Sequence, residues 1–255
     1  MPVTRRPSVP NLQRGMAILE YLATHQRSAT IAELSERLGY PSASVFRITQ
    51  AFAELGYLSR DPVTKQFRLT NKLLLLGQPH GRDRGLVEAS IPAMRQLNQA
   101  TSETTQLCCL VDTGIVVLEQ LLATHPFKYS AELGARCPAY SCAPGKAILA
   151  SLPDDERDDL LRRIRFKRFT PTTITDRRLF REELAAICEC GFAVDRAEGM
   201  AGVHCVAAAV RDRNGYPAGA LTIAAPASRV PEEDFGRVGK LVIQAVRLAE
   251  TNYGQ

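Results

Sequence analysis

No run in this 255-residue chain approaches the roughly 20 consecutive apolar residues that a helix needs to cross a bilayer. The basic, proline-broken opening MPVTRRPSVP has no apolar stretch behind it of the kind a secretory signal carries. It reads as a disordered arm, and the chain as cytoplasmic. The seven cysteines, at 108, 109, 137, 142, 188, 190 and 205, form no C-x-x-C pair. An odd, unpaired set points to reduced thiols and away from a disulfide framework. Cys188 and Cys190 with His204 are poorly spaced for tetrahedral zinc, so no metal or cofactor is expected. Gly145-Lys146-Ala147 is not a phosphate-binding P-loop, because Ala147 follows the lysine and Tyr140 stands where the loop's first glycine belongs. His204 beside Cys205 invites a nucleophile, but neighbours on a strand face opposite ways and cannot pair. No enzymatic constellation remains.

What is present sits first in Thr30–Leu69. Thr30 and Glu33 match the T-x-x-E capping box, and Ile31, Leu34 and Leu38 follow at helical spacing up to Gly39, a residue that can close a helix left-handed. Pro41 and Ser42 restart a helix with an apolar stripe of Val45, Ile48, Phe52 and Leu55. Ser42, Ser44, Arg47 and Gln50 are expected on the opposite face, a pattern that suits the DNA major groove. Gly56 leads to Tyr57-Leu58-Ser59, a turn over Arg60–Lys65 and a return strand Gln66–Leu69, which together make a wing. Residues 1–78 hold ten Lys/Arg against five Asp/Glu, whereas 79–255 hold 22 of each, so the net charge of +5 belongs to the head. A basic module on a neutral body fits a phosphate-binding head joined to something that meets another partner. Arg47 is the residue placed to reach a guanine edge, with phosphate contact as the alternative; Arg60 and Lys65 add charge on the wing.

Composition is ordinary for a globular chain, 45% hydrophobic and 23% charged, and the length allows one large core or two moderate ones. Asn11–His25 reads as a first helix packed under the pair, Asn71–Gly77 as a short apolar helix, and Gln78–Gly81 as a break. Arg82–Asn98 reads as a linker helix. Beyond it the spacing predicts hairpin strands Thr105–Val111 and Ile115–Gln120, a helix over Tyr140–Leu152, and another over Arg178–Gly191. Strands Val203–Val210 and Ala218–Ala224 and a closing helix Glu232–Asn252 complete an α+β body with a mostly antiparallel sheet. The acidic run Asp154-Asp155-Glu156 reads as a solvated helix start. Ser141 or Cys142 can cap the helix beginning Ala143-Pro144-Gly145, whose small first turn leaves amides open to a carboxylate or phosphate.

The chain resembles the IclR family of bacterial transcription regulators along nearly its whole length. The resemblance rests on IAELSERLGYPSASVFR in the head, Gly134–Pro153 ending in GKAILASLP, TITD at 173–176, GFAVDRAEGMAGVHCVAAAVRDRNG at 191–215 and AAPASR at 224–229. It implies a winged helix-turn-helix domain over 8–78, a linker helix over 79–98 and a GAF/PAS-like effector-binding domain over 99–255. It further implies a homodimer or dimer of dimers on a palindromic double-stranded operator, expected to repress a catabolic operon. By motif, the effector would contact Ala143, Pro144, Gly145, Asp195, Val203, Cys205, Thr222 and Ala224, with Asp195 accepting from a hydroxyl and helix amides holding an acid group. The effector expected is a small carboxylate with a hydroxyl or keto group, or an aromatic acid. Pro144 and Ala224 depart from the family's usual small residue and serine, which favours a larger or more apolar effector. Ser42 and Phe46 stand where relatives often carry Lys and His, so operator sequence does not transfer. The alternative reading is a small-molecule carrier or enzyme whose head serves assembly.

Overall fold

The computed structural model describes residues 9–24, 28–76 and 85–253, and the chain divides into two compact units, 1–78 and 79–255. Residues 1–8 of the basic arm, His25 and the break at 78–81 lie outside the described residues, whereas Pro10, read as the end of that arm, is helical.

In the first unit, helix α1 (Pro10–Thr24) packs on α2 (Ile31–Leu38) and α3 (Ser42–Glu54). The capping box at the start of α2 forms in full: Glu33 N–H donates to Thr30 Oγ1 at 3.3 Å and Thr30 N–H to Glu33 Oε2 at 2.7 Å. Gly39 closes α2 at φ +68°, the left-handed geometry glycine adopts without a Cβ penalty. Strands β1 (Leu58–Arg60) and β2 (Phe67–Leu69) pair antiparallel as the wing, followed by α4 (Lys72–Leu76). The wing turn is tied by Asp61, whose carboxylate accepts from the Val63 and Thr64 amides; those bonds hold its pKa below the usual range. Ile18, Leu34, Val45, Leu58 and Phe67 form the core.

The second unit is a six-stranded antiparallel sheet. Helix α5 (Leu86–Thr101) precedes β3 (Thr104–Val111), β4 (Gly114–Leu121) and β5 (Arg136–Pro138). Next come α6 (Ala143–Ser151), α7 (Asp154–Arg163) and α8 (Arg177–Cys190). Strands β6 (Ala193–Arg196), β7 (Val203–Arg211) and β8 (Pro217–Pro226) and helix α9 (Phe235–Tyr253) end the chain. Strand order is β5-β4-β3-β8-β7-β6. Strand alternation sends Val206, Ala208 and Val210 of β7 and Leu221 and Ile223 of β8 to the face covered by α5 and α9. Cys205, Ala207, Ala220 and Ala224 go to the face covered by α6 and α8. Helices cover both faces, which is why these strands read as nearly unbroken apolar runs. The stretch read as a linker contains α5, which is a layer of this unit: Ala89, Ala93, Met94 and Leu97 are buried. The two strands without a clear signal in the composition are β5, only three residues with a proline at its edge, and β6.

Candidate functional site

In the first unit the exposed face of α3 differs from the expected one. Ser42 and Arg47 are exposed and Gln50 half-buried, but Ser44 is only 5% exposed and accepts a 3.2 Å bond from Arg14 of α1. Helical rotation puts it one step toward the core side, beside Val45. Phe46, 47% exposed, takes the outward place, while Leu55, expected in the apolar stripe, lies 56% exposed at the end of the helix. Arg60 is exposed with its guanidinium 5.5 Å from the Phe67 ring centroid, and Lys65 turns its ammonium back onto the Pro62 carbonyl at 2.6 Å.

In the second unit a cavity of about 280 Å³ lies between the start of α6 and the sheet. Pro144, Asp195, Val203, Cys205 and Thr222 line it, as do Gln106, Tyr129, Arg136, Ser141 and Phe169. Asp195, next to last in β6, is only 4% exposed. Its Oδ1 accepts from the Glu198 amide at 2.6 Å. Burial, with the charge of Glu198 beside it, lifts its pKa to about 7 against the pull of backbone amides and Lys146. Thr222 donates to the Val206 carbonyl at 3.1 Å. Burial pushes the Cys205 thiol up, with Asp195 beside it adding to the shift, while the close approach of the Cys142 and Cys137 sulfurs draws Cys137 down and pushes Cys142 up. His204 points the other way, onto the Val230 carbonyl and the edge of Phe235, so it and Cys205 occupy opposite faces.

Three of the residues assigned by motif do not line the cavity. Ala143 and Ala224 are buried in the apolar core beside it. Gly145 is buried for a steric reason: a Cβ there would overlap the backbone of Ala139. The small first turn of α6 thus serves to press the helix onto the short 3₁₀ turn Ala139–Ser141, and no side chain caps it, since the Cys142 thiol reaches back to the Pro138 carbonyl. Gly199 is held the same way, its missing Cβ lying 2.7 Å from the Ser141 carbonyl. Replacing Gly145 with alanine is expected to lower stability by about 1–3 kcal/mol through overpacking. Thermal unfolding reads the loss, and an unchanged melting temperature would show that the α6 start can back away.

Sequence spacing could not find Tyr129 or Phe169, which sit on loops without periodicity. Nor did it give Lys146 a role. Lys146 is fully buried, 2.6 Å from Glu198 and 2.8 Å from Glu183, one step behind Asp195. A lysine inside an apolar helix signals a buried partner, and the partner lies 52 residues away. Among the described residues no cluster of His, Cys, Asp or Glu has the geometry to hold a metal, and no helix is long and apolar enough to cross a membrane.

Residues 11–62 match the IclR helix-turn-helix domain and residues 82–249 the bacterial transcriptional regulator IclR C-terminal domain. The chain is 29% identical to the HTH-type transcriptional repressor AllR of Klebsiella pneumoniae, covering 95% of this chain and 89% of that protein. It is 26% identical to the transcriptional repressor IclR of Escherichia coli, covering 96% and 90%. Among solved structures it is similar to an IclR homolog from Microbacterium hydrocarbonoxydans complexed with 4-hydroxybenzoate, with TM-score 0.79, 23% identity and coverage of 95% and 98%. With a DNA-reading head and a ligand-sized cavity in the body, each on a matching domain, this chain belongs to the IclR family of bacterial transcriptional regulators.

Proposed function

We propose that this regulator is a repressor that binds a palindromic operator as a dimer or dimer of dimers and answers to a small organic or aromatic acid. The observation that carries the reading is the cavity against the start of α6: mostly apolar, yet holding Asp195, Tyr129, Gln106 and Thr222 at its wall. An apolar cleft with a few placed polar groups is the usual form of a small-molecule site. The 4-hydroxybenzoate in the Microbacterium homolog supports an aromatic acid as first probe. A thermal-shift screen of the full chain against hydroxybenzoates and small keto and hydroxy acids tests it. A true effector raises the melting temperature by mass action, and Asp195→Ala removes the shift. No shift from any acid would refute the acid-sensing reading.

For the operator, Ser42, Arg47 and Gln50 of α3 with Arg60 and Lys65 of the wing supply the contacts, and Phe46 replaces Ser44 on the reading face. Arg47→Ala is expected to weaken binding to the specific site by about 1–3 kcal/mol and to relax specificity at one base pair. Fluorescence anisotropy on specific and scrambled duplexes distinguishes this from a phosphate contact, which would weaken both alike.

A further inference from the structure

Arg136 is the single cation among the described residues lining the cavity, and it stands in a wall shared with a second groove of about 550 Å³. The groove is bounded by the β3–β4 turn, β5 and the segment following α7, and it shares Cys137, Pro138 and Phe169 with the cavity as well. Arg163, Arg165 and Lys167 add to Arg136 there. Its one carboxylate, Asp112, is taken by Arg163. Arg136 and Arg165 have no ion pair among the described residues, and Lys167 lies 5.8 Å from the Phe169 ring. Three cations are therefore left uncompensated in a concave surface next to the cavity.

The cavity offers the reverse. Arg136 apart, its lining holds one ionisable acid, Asp195, along with thiols, hydroxyls and apolar side chains. Of α6 itself only Pro144 is in its wall, and a proline has no N–H to offer an anion. An anionic group buried there would face Asp195 with no cation, whereas at the rim it meets Arg136.

We infer that the effector inserts its uncharged end into the cavity and leaves its acid group at the rim on Arg136, where the groove of Arg165 and Lys167 favours a second negative charge. The inference rests on the cavity being an effector site, and it names the ligand class: acids with a dianionic head, such as phosphonates, phosphates or dicarboxylates. A charge approaching an exposed basic cluster gains attraction that salt screens.

Calorimetric titration of the full chain with 4-hydroxybenzoate and with 4-hydroxyphenylphosphonate, at pH 7.5 and low salt, tests it. The phosphonate should bind at least about tenfold more tightly, with an advantage that shrinks as salt is added. The double variant Arg165→Ala/Lys167→Ala should lose that advantage while binding 4-hydroxybenzoate within about twofold of the parent. Its melting temperature should be unchanged, because both side chains are exposed. Equal or weaker binding of the phosphonate, or an equal loss for both ligands, overturns the orientation while leaving the cavity as the effector site. Binding of neither ligand overturns both.

Discussion

Replacing Lys146 with alanine is expected to destabilise the second unit by about 3–5 kcal/mol, because it strands a carboxylate in the core. Lys146 is fully buried and its ammonium lies 2.6 Å from Glu198, itself only 1% exposed. Glu183, the second partner, has 20% of its side chain exposed and would keep water. Glu198 would not, since its other oxygen already has no hydrogen-bond partner. The penalty therefore comes from the orphaned charge and less from the lost attraction. Adding Glu198→Gln to Lys146→Met should recover at least half of it, since a neutral pair of similar volume needs no ion pairing. Chemical denaturation of the full chain measures both. A Lys146→Ala protein within about 0.5 kcal/mol of the parent would mean that the pair is hydrated.

The second large effect is on pH. Below about pH 7 Asp195 carries a proton, and its neutral carboxyl lines the cavity proposed to take the effector's uncharged end. As pH rises through 7 the free protein loses that proton, and an effector whose uncharged end seals the cavity must restore it or strip water from a carboxylate. Affinity for an acid such as 4-hydroxybenzoate should be flat between about pH 5.5 and 6.5 and then fall about tenfold per unit above 7. Asp195→Asn should flatten the profile by keeping the position neutral at every pH. The opposite slope, with affinity rising through pH 7, would show that the ionised carboxylate accepts a hydroxyl from the ligand, the role its motif suggests. Cys137, Cys142, Cys205 and Tyr129 also face the cavity. Of these, Cys142, Cys205 and Tyr129 are pushed upward by their surroundings, Tyr129 to about 12, and stay neutral over this range. Cys137 is the one drawn down, and a Cys137→Ser control separates it from Asp195.

The head was legible nearly residue by residue, because a capping box, a left-handed glycine and a two-strand wing are local and their signals lie within a few positions. The error at Ser44 arose where rotation about the helix decides between core and surface by a single step, and a small polar side chain fits either. In the body, the hairpin around Asp112 and the paired strands β7 and β8 were legible from turn residues and apolar runs. The cavity was half legible. Asp195, Val203, Cys205, Thr222 and Pro144 meet there because β6, β7, β8 and α6 converge on it. Ala143, Gly145 and Ala224 are spent on packing, which a motif resemblance cannot distinguish from ligand contact. Arg136 and Phe169 enter from a three-residue edge strand and an irregular segment, and the Lys146–Glu198 pair joins residues far apart in sequence. None of these has a local signature.

Under the proposed function an acid bound in the second unit changes what α3 does on DNA. Anisotropy of the full chain on a labelled duplex from the DNA flanking its own reading frame, at fixed salt with acid titrated in, measures this directly. Binding should be salt-sensitive, with a midpoint that shifts at least about fivefold at saturating effector, the shift being abolished in Asp195→Ala with DNA affinity otherwise intact. An acid that raises the melting temperature but leaves DNA affinity unchanged would contradict it.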